Sequence, residues 1–310
     1  MPMHKTAAKA VGASALAALL LTACGDSEEG GESLEAEPQN EITVDLDLGE
    51  VELNNEGTLQ VCSDVPYPPF EYYDEDGAVV GFDIDIAEVI AGALDAELEV
   101  VQTGFEGIQS GVALDAGTCD LAISGMSITE ARAGNMLFSE PYLDDNLGLL
   151  AVTEADVSSL DDLEGLTVGV QTETTGSDFA EEQGYEVREY SDSGLLIQGL
   201  ESGQVEAAIG NISILGYQAG ESDTAEFIEE IDTGEQLGIA VATGNDQLID
   251  AVNQVLAELD ASGGMEELED RWFREGDTPE EGEGAEDEAS DEASEEEPAE
   301  DAATEDEGDE

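Results

Sequence analysis

The chain has 310 residues, 40% of them hydrophobic, which is enough for one or two domains with a buried core. Its 79 acidic residues against six lysines and arginines give a formal charge of -73, which excludes a phosphate-binding surface and with it nucleic acid as a partner. Beyond Lys9 there is no lysine, histidine occurs only at position 4, and the remaining cations are Arg132, Arg188, Arg271 and Arg274. So large an excess of acid destabilises a compact state by self-repulsion, and about molar salt shortens the screening length to roughly 3 Å. A high-salt habitat is the expectation, checked by a thermal melt that is sharper and higher in molar salt than in dilute buffer.

At the N-terminus His4, Lys5 and Lys9 precede an apolar stretch over residues 10–21, too short to span a bilayer comfortably, so residues 1–23 read as a signal peptide. The run Leu21-Thr22-Ala23-Cys24 resembles the lipobox of bacterial lipoproteins. That resemblance implies a lipid on Cys24 and an extracytoplasmic protein anchored at the cell membrane; an ordinary signal peptide with an incidental cysteine is the alternative. Residues 24–56, rich in Gly, Glu, Ser and Asp, read as a flexible linker. Cys62 and Cys119 are then the remaining pair, open to a disulfide in an oxidising compartment or to two buried thiols.

In chain order, residues 59–63 read as an apolar strand, and Asp74-Glu75-Asp76-Gly77 as a turn leading to Val79-Val80-Gly81-Phe82. Asp83 suits the cap of a helix whose apolar face is Ile86, Val89, Ile90, Ala93 and Leu94. A strand at 98–102, a helix at 106–116 and a strand at 120–124 complete a β-α-β-α-β order, hence a parallel sheet with ligands beyond its carboxyl ends. The pattern restarts with a strand at 166–171, a helix from Thr175, a strand at 186–190, a helix at 194–202 and a strand at 205–210. A strand at 237–242 and helices at 246–259 and 265–273 are too few for a third domain and return to the first, with Trp272 and Phe273 as core anchors. Residues 276–310, almost all Asp, Glu, Ala, Ser or Gly, read as a disordered acidic tail.

The segments Cys62-Ser63-Asp64-Val65-Pro66-Tyr67-Pro68-Pro69-Phe70-Glu71, Gly81-Phe82-Asp83-Ile84-Asp85, 124–132, Phe138-Ser139-Glu140-Pro141-Tyr142, 163–170 and 199–211, in this order, resemble amino-acid-type extracellular solute-binding proteins of ABC importers, family 3. The resemblance implies an α/β, two-lobed periplasmic-binding-protein-like fold, with two parallel or mixed sheets flanked by helices. Residues 57–148 and 238–275 form the first lobe and 149–237 the second, with hinge crossings near 147–152 and 234–239. It implies a monomer that captures an amino acid between its lobes, needs no cofactor or metal, and delivers its ligand to the permease subunits in the membrane.

Residue by residue, the resemblance assigns Arg132 to the ligand's α-carboxylate, the planar anion that a bidentate guanidinium suits. Ser124, Gly125 and Ser127 match neighbouring donors and acceptors, and Thr175 at a helix start adds hydroxyl and amide donors. Tyr67 and Phe105 match the aromatics flanking the ligand side chain, Asp64 faces its end, and Gln171 and Asn211 line the second lobe. Surface ion pairing for Arg132, core packing for the aromatics and a strand-end turn for Asp64 are the plainer readings. Two positions depart from the family pattern: Asn211 stands where an aspartate pairs with the ligand's ammonium, and Glu173 where glycine is common. Without a second cation near the motifs, acidic amino acids are disfavoured and a polar or cationic one is expected.

Catalysis is hard to assemble from this composition. A mature chain without histidine or lysine lacks Ser-His-Asp and Cys-His nucleophile systems, Schiff-base chemistry and a P-loop. A dehydratase of cyclic carboxylic acids such as prephenate or arogenate, on a related fold, is the enzymatic alternative, and an anchored amino-acid-sensing receptor is the other.

Overall fold

The computed structural model describes residues 42–273, together with the backbone of Ser33–Leu34. The signal peptide, Cys24, Arg274 and the acidic tail lie outside the described residues.

Apolar strands separated by amphipathic helices fold into two α/β lobes. The first is built on a six-stranded sheet in the order Ser33–Leu34, Glu97–Gln102, Thr58–Ser63, Leu121–Ala122, Ala240–Ala242, Met136–Phe138. Thr58–Ser63 runs parallel to both neighbours, as β-α-β crossovers require, while Ala240–Ala242 returns antiparallel. Helix Phe82–Ala93 buries Phe82, Ile86 and Ile90 against Leu59, Val61 and Leu121. Trp272 and Phe273 close this core: Phe273 meets the rings of Phe70 and Phe82 edge-on, and the Trp272 indole N–H donates to Asp85 at 2.8 Å. Arg271 shares that carboxylate at 2.9 Å.

The second lobe holds a five-stranded sheet in the order Glu186–Tyr190, Thr167–Gln171, Ala207–Asn211, Leu147–Val152, Ala225–Ile231. Its core of Leu149, Val168, Val170, Ala207 and Ile209 packs against Ala180 of helix Thr175–Gln183. Ala225–Ile231 lies at one edge, with a bulge between Phe227 and Glu229. No described helix is long and apolar enough to cross a membrane.

The structure corrects four expectations. Leu147–Val152, expected as a hinge crossing, is an interior strand of the second sheet; the chain crosses instead at Leu143–Asp144, which pairs antiparallel with Gln236–Leu237. Residues 42–56, expected as flexible linker, lie against the first lobe, because Ile42, Val44, Leu46 and Leu48 alternate with polar residues and rest half-buried on its core. Asp83 does not cap its helix: Gly81 does, with φ 142° and no room for a Cβ beside the Phe70 carbonyl, leaving Asp83 buried in the first turn. The helix expected at 106–116 is two short ones, Phe105–Gln109 and Val112–Asp115, broken at Gly111 with φ 79°. Cys62 and Cys119, left open by the sequence, are joined in a disulfide with Cα atoms 5.7 Å apart.

Candidate ligand-binding site

Facing strand ends form the cleft between the lobes. In the first lobe, Thr58–Ser63 leads into Asp64, Glu97–Gln102 into Phe105, and Leu121–Ala122 into the turn that carries Ser124, Gly125 and Ser127. From the second lobe, Thr167–Gln171 ends on Gln171 and Ala207–Asn211 on Asn211, and helix Thr175–Gln183 starts beside Gln171, whose carbonyl accepts from the Thr174 hydroxyl at 2.8 Å. Thr174 caps that helix, accepting from the Ser177 amide at 3.1 Å, so the Thr175 and Gly176 amides stand at its open first turn.

All ten residues expected at the site gather here, though not all face a ligand position. Arg132 starts on the short helix Glu130–Ala133, is 5% exposed, and lays its guanidinium over the Phe105 ring, 5.1 Å from the centroid. Its Nη1 donates to the Ser127 carbonyl at 2.8 Å and its Nη2 to the Glu173 carbonyl across the cleft at 3.1 Å. Among the described residues no carboxylate oxygen comes within 4.0 Å of this guanidinium. Burial lowers its pKa from the usual value, while the charge of Glu235, followed by Tyr67, Asp178 and Glu173, pushes back. Surface ion pairing, the plainer reading of Arg132, is thereby excluded.

Further bonds close the two lobes on each other. Gln171 donates to Asp64 Oδ2 at 2.9 Å, the Tyr67 hydroxyl donates to Asn211 Oδ1 at 3.1 Å, and Ser193 donates to the Pro66 carbonyl at 2.7 Å. Tyr67 stacks on Phe70, and a Cβ on Gly125 would stand 2.7 Å from its ring, so the backbone turn and the aromatic wall require glycine there. Ser124 is tied inward: its hydroxyl donates to Glu71 and accepts from the Asp64 amide, so it positions the turn and does not face the cleft. Glu173 adopts φ 64°, the left-handed backbone that accounts for glycine at such a position, and its exposed carboxylate accepts from Gln109 at 3.0 Å.

Sequence reasoning missed Glu235. Its Oε2 accepts from Ser127 Oγ of the first lobe at 2.5 Å and from Thr175 Oγ1 of the second at 2.7 Å. Those hydroxyls lie 108 and 60 residues away in sequence. Its one local signal is Gly234 with φ 65°, which turns the chain into the crossing.

Buried carboxyls surround the cleft. Asp64 is pushed up to about 6 by burial, against the Gln171 hydrogen bond. Asp83, which accepts from the Gly125 amide and the Tyr142 hydroxyl, and Asp145, which accepts from Ser213, are each pushed to about 7 by burial. Glu71 is driven well above the carboxylate range by burial and by Asp83. Raised acids hold more protons in the native state than in the open chain, so stability is lost as pH climbs through the window from about 4 to about 7. In calorimetry at constant molar salt the melting temperature should fall from pH 5 to pH 8, less steeply in Asp83→Asn; a rise would contradict these shifts.

The model for bacterial extracellular solute-binding proteins, family 3, matches residues 59–275. The chain belongs to this family. This solute-binding protein is 33% identical over 215 residues to the arginine-binding periplasmic protein of Mannheimia haemolytica, covering 67% of the chain and 87% of the relative. With the L-cystine-binding protein TcyJ of Escherichia coli strain K12 it shares 30% over 222 residues, 70% of the chain and 83% of the relative. The structure of an ancestral arginine-binding protein bound to glutamine matches it with a TM-score of 0.67 at 33% identity, over 71% of this chain and 100% of that one. Its architecture is accordingly that of the two-lobed amino-acid-binding proteins.

Proposed function

We propose that this solute-binding protein captures a polar or cationic amino acid between its lobes and hands it to the permease of an ABC importer, without chemical turnover. The observation that carries the reading is Arg132: a buried guanidinium held between the lobes by two carbonyls, with no carboxylate of the described residues against it. A desolvated cation so placed gains most from a ligand carboxylate, which the amides opening helix Thr175–Gln183 can share. Donors from both lobes then meet on one anion, so the ligand favours the closed arrangement over the open one, and the closed form is what a permease can distinguish.

At the far end of the cleft Asp64 is the acceptor for a polar or cationic side chain. A ligand with an acidic side chain would need a second cation, and the other described arginines are engaged elsewhere: Arg188, on the edge strand Glu186–Tyr190, donates to the Gln204 carbonyl, and Arg271 pairs with Asp85. The arginine- and cystine-binding relatives support the amino-acid reading. Anchoring through a lipid on Cys24 belongs to the same proposal and rests on the sequence Leu21-Thr22-Ala23-Cys24. The test is a thermal-shift screen in high salt against the twenty amino acids, citrulline, ornithine and ectoine-like solutes. Arginine, ornithine, glutamine or a similar polar compound should raise the melting temperature while glutamate and aspartate leave it unchanged; a screen in which no amino acid acts would overturn the reading.

A further inference from the structure

Position 211 offers the cleft an acceptor without charge. The Asn211 side chain is 5% exposed and its orientation is fixed from both ends: Nδ2 donates to the Asp145 carbonyl at 3.1 Å, and Oδ1 accepts from the Tyr67 hydroxyl. Asp145 stands next to the crossing, its amide bonded to the Glu235 carbonyl at 3.0 Å, but one oxygen of its carboxylate is turned to the amide and hydroxyl of Ser213. The carboxylate bonded to hydroxyls of both lobes beside Arg132 is that of Glu235. One of its oxygens takes both hydroxyl protons, from Ser127 and Thr175, which pins the carboxylate midway between the lobes. It is the strongest charge partner of Arg132 and yet lies more than 4.0 Å from the guanidinium. A fixed anion therefore sits beside a fixed cation without contact, an arrangement complementary to a molecule that carries both charges on groups attached to one carbon.

We propose that Glu235 is the residue that recognises the ligand's α-ammonium, and that its carboxylate restricts this cleft to zwitterions with the amine and carboxylate on one carbon. The inference rests on the assignment of Arg132 to the ligand's carboxylate. The guanidinium and the helix amides receive that carboxylate. Glu235, held by the two hydroxyls, receives the ammonium through a charge-assisted hydrogen bond, and Asn211 Oδ1 adds a neutral one.

Calorimetry separates the two assignments, with L-arginine as one probe and 5-guanidinopentanoate, which lacks only the α-ammonium, as the other. Wild type should prefer L-arginine by at least about tenfold, the size of one charge-assisted hydrogen bond. Glu235→Gln should bind L-arginine about tenfold or more weakly while holding 5-guanidinopentanoate within about threefold of wild type. Adding Asn211→Asp to Glu235→Gln should return most of the lost affinity for L-arginine, which shows the variant to be folded and the missing quantity to be charge. Glu235→Gln binding L-arginine as tightly as wild type or more tightly would overturn the proposal, since Glu235 would then only compete with the ligand for the hydroxyls. Equal loss of both probes, or no recovery in the double variant, would overturn it too. Should wild type bind neither probe nor any amino acid in the screen, the assignment of Arg132 itself fails.

Discussion

Arg132→Ala should reduce affinity for the bound amino acid by at least about 2 kcal/mol, roughly thirtyfold in Kd, and leave the chain folded. The size follows from burial: with 5% of its surface exposed, the guanidinium meets a ligand carboxylate where little water competes, and its loss strands that carboxylate in the closed cleft. Folding is expected to survive because the partners given up are two carbonyls and an aromatic face, not a protein carboxylate. Arg132→Lys should recover only part of the affinity, since an ammonium carries the charge without the planar fork. Isothermal titration of the three proteins with the ligand that ranks first in the thermal-shift screen decides it; unchanged affinity in the alanine variant would remove Arg132 from the site.

Breaking the Cys62–Cys119 disulfide should have the largest effect on stability. The bond closes a loop between residues 57 apart, for which the chain-entropy account gives about 4 kcal/mol. In a domain of this size that corresponds to a fall of roughly 10 °C in melting temperature. Both sulfurs lie in a buried cluster with Phe105, Met126 and Ala122, so their loss also loosens the ring on which the Arg132 guanidinium rests. Cys62→Ala with Cys119→Ala should melt lower by that amount in molar salt and bind ligand several-fold more weakly by this indirect route. A melting temperature unaffected by the double substitution or by a reductant would show that the cluster, not the bond, holds the sheet.

Period and punctuation make much of the fold legible in the sequence. The β-α-β order of the first lobe and the return of the last helices follow from local patterns, whereas the grouping of Asp64, Tyr67, Arg132, Thr175 and Asn211 comes from the resemblance to the family. Readings failed where the deciding contact lay far along the chain. In a sequence with 79 acids one more glutamate carries no signal, and Glu235 stands out only once Ser127 and Thr175 are seen to share its oxygen. Acidity also hid residues 42–48: the alternation Ile42, Val44, Leu46, Leu48 is a period-two pattern, but its composition resembled the linker before it. Strand Ala225–Ile231 escaped because its bulge between Phe227 and Glu229 breaks the alternation.

That same strand is an edge that another copy of the protein could meet. As the outermost member of its sheet it exposes backbone groups to which another chain's strand could bond, the usual seed of sheet-on-sheet aggregation. Glu226, Glu229 and Glu230 line it, so two such margins meeting would bring rows of like charge face to face. The bulge spoils the flat template as well. In molar salt, where screening removes longer-range repulsion, charges in near contact such as these are the ones that still act.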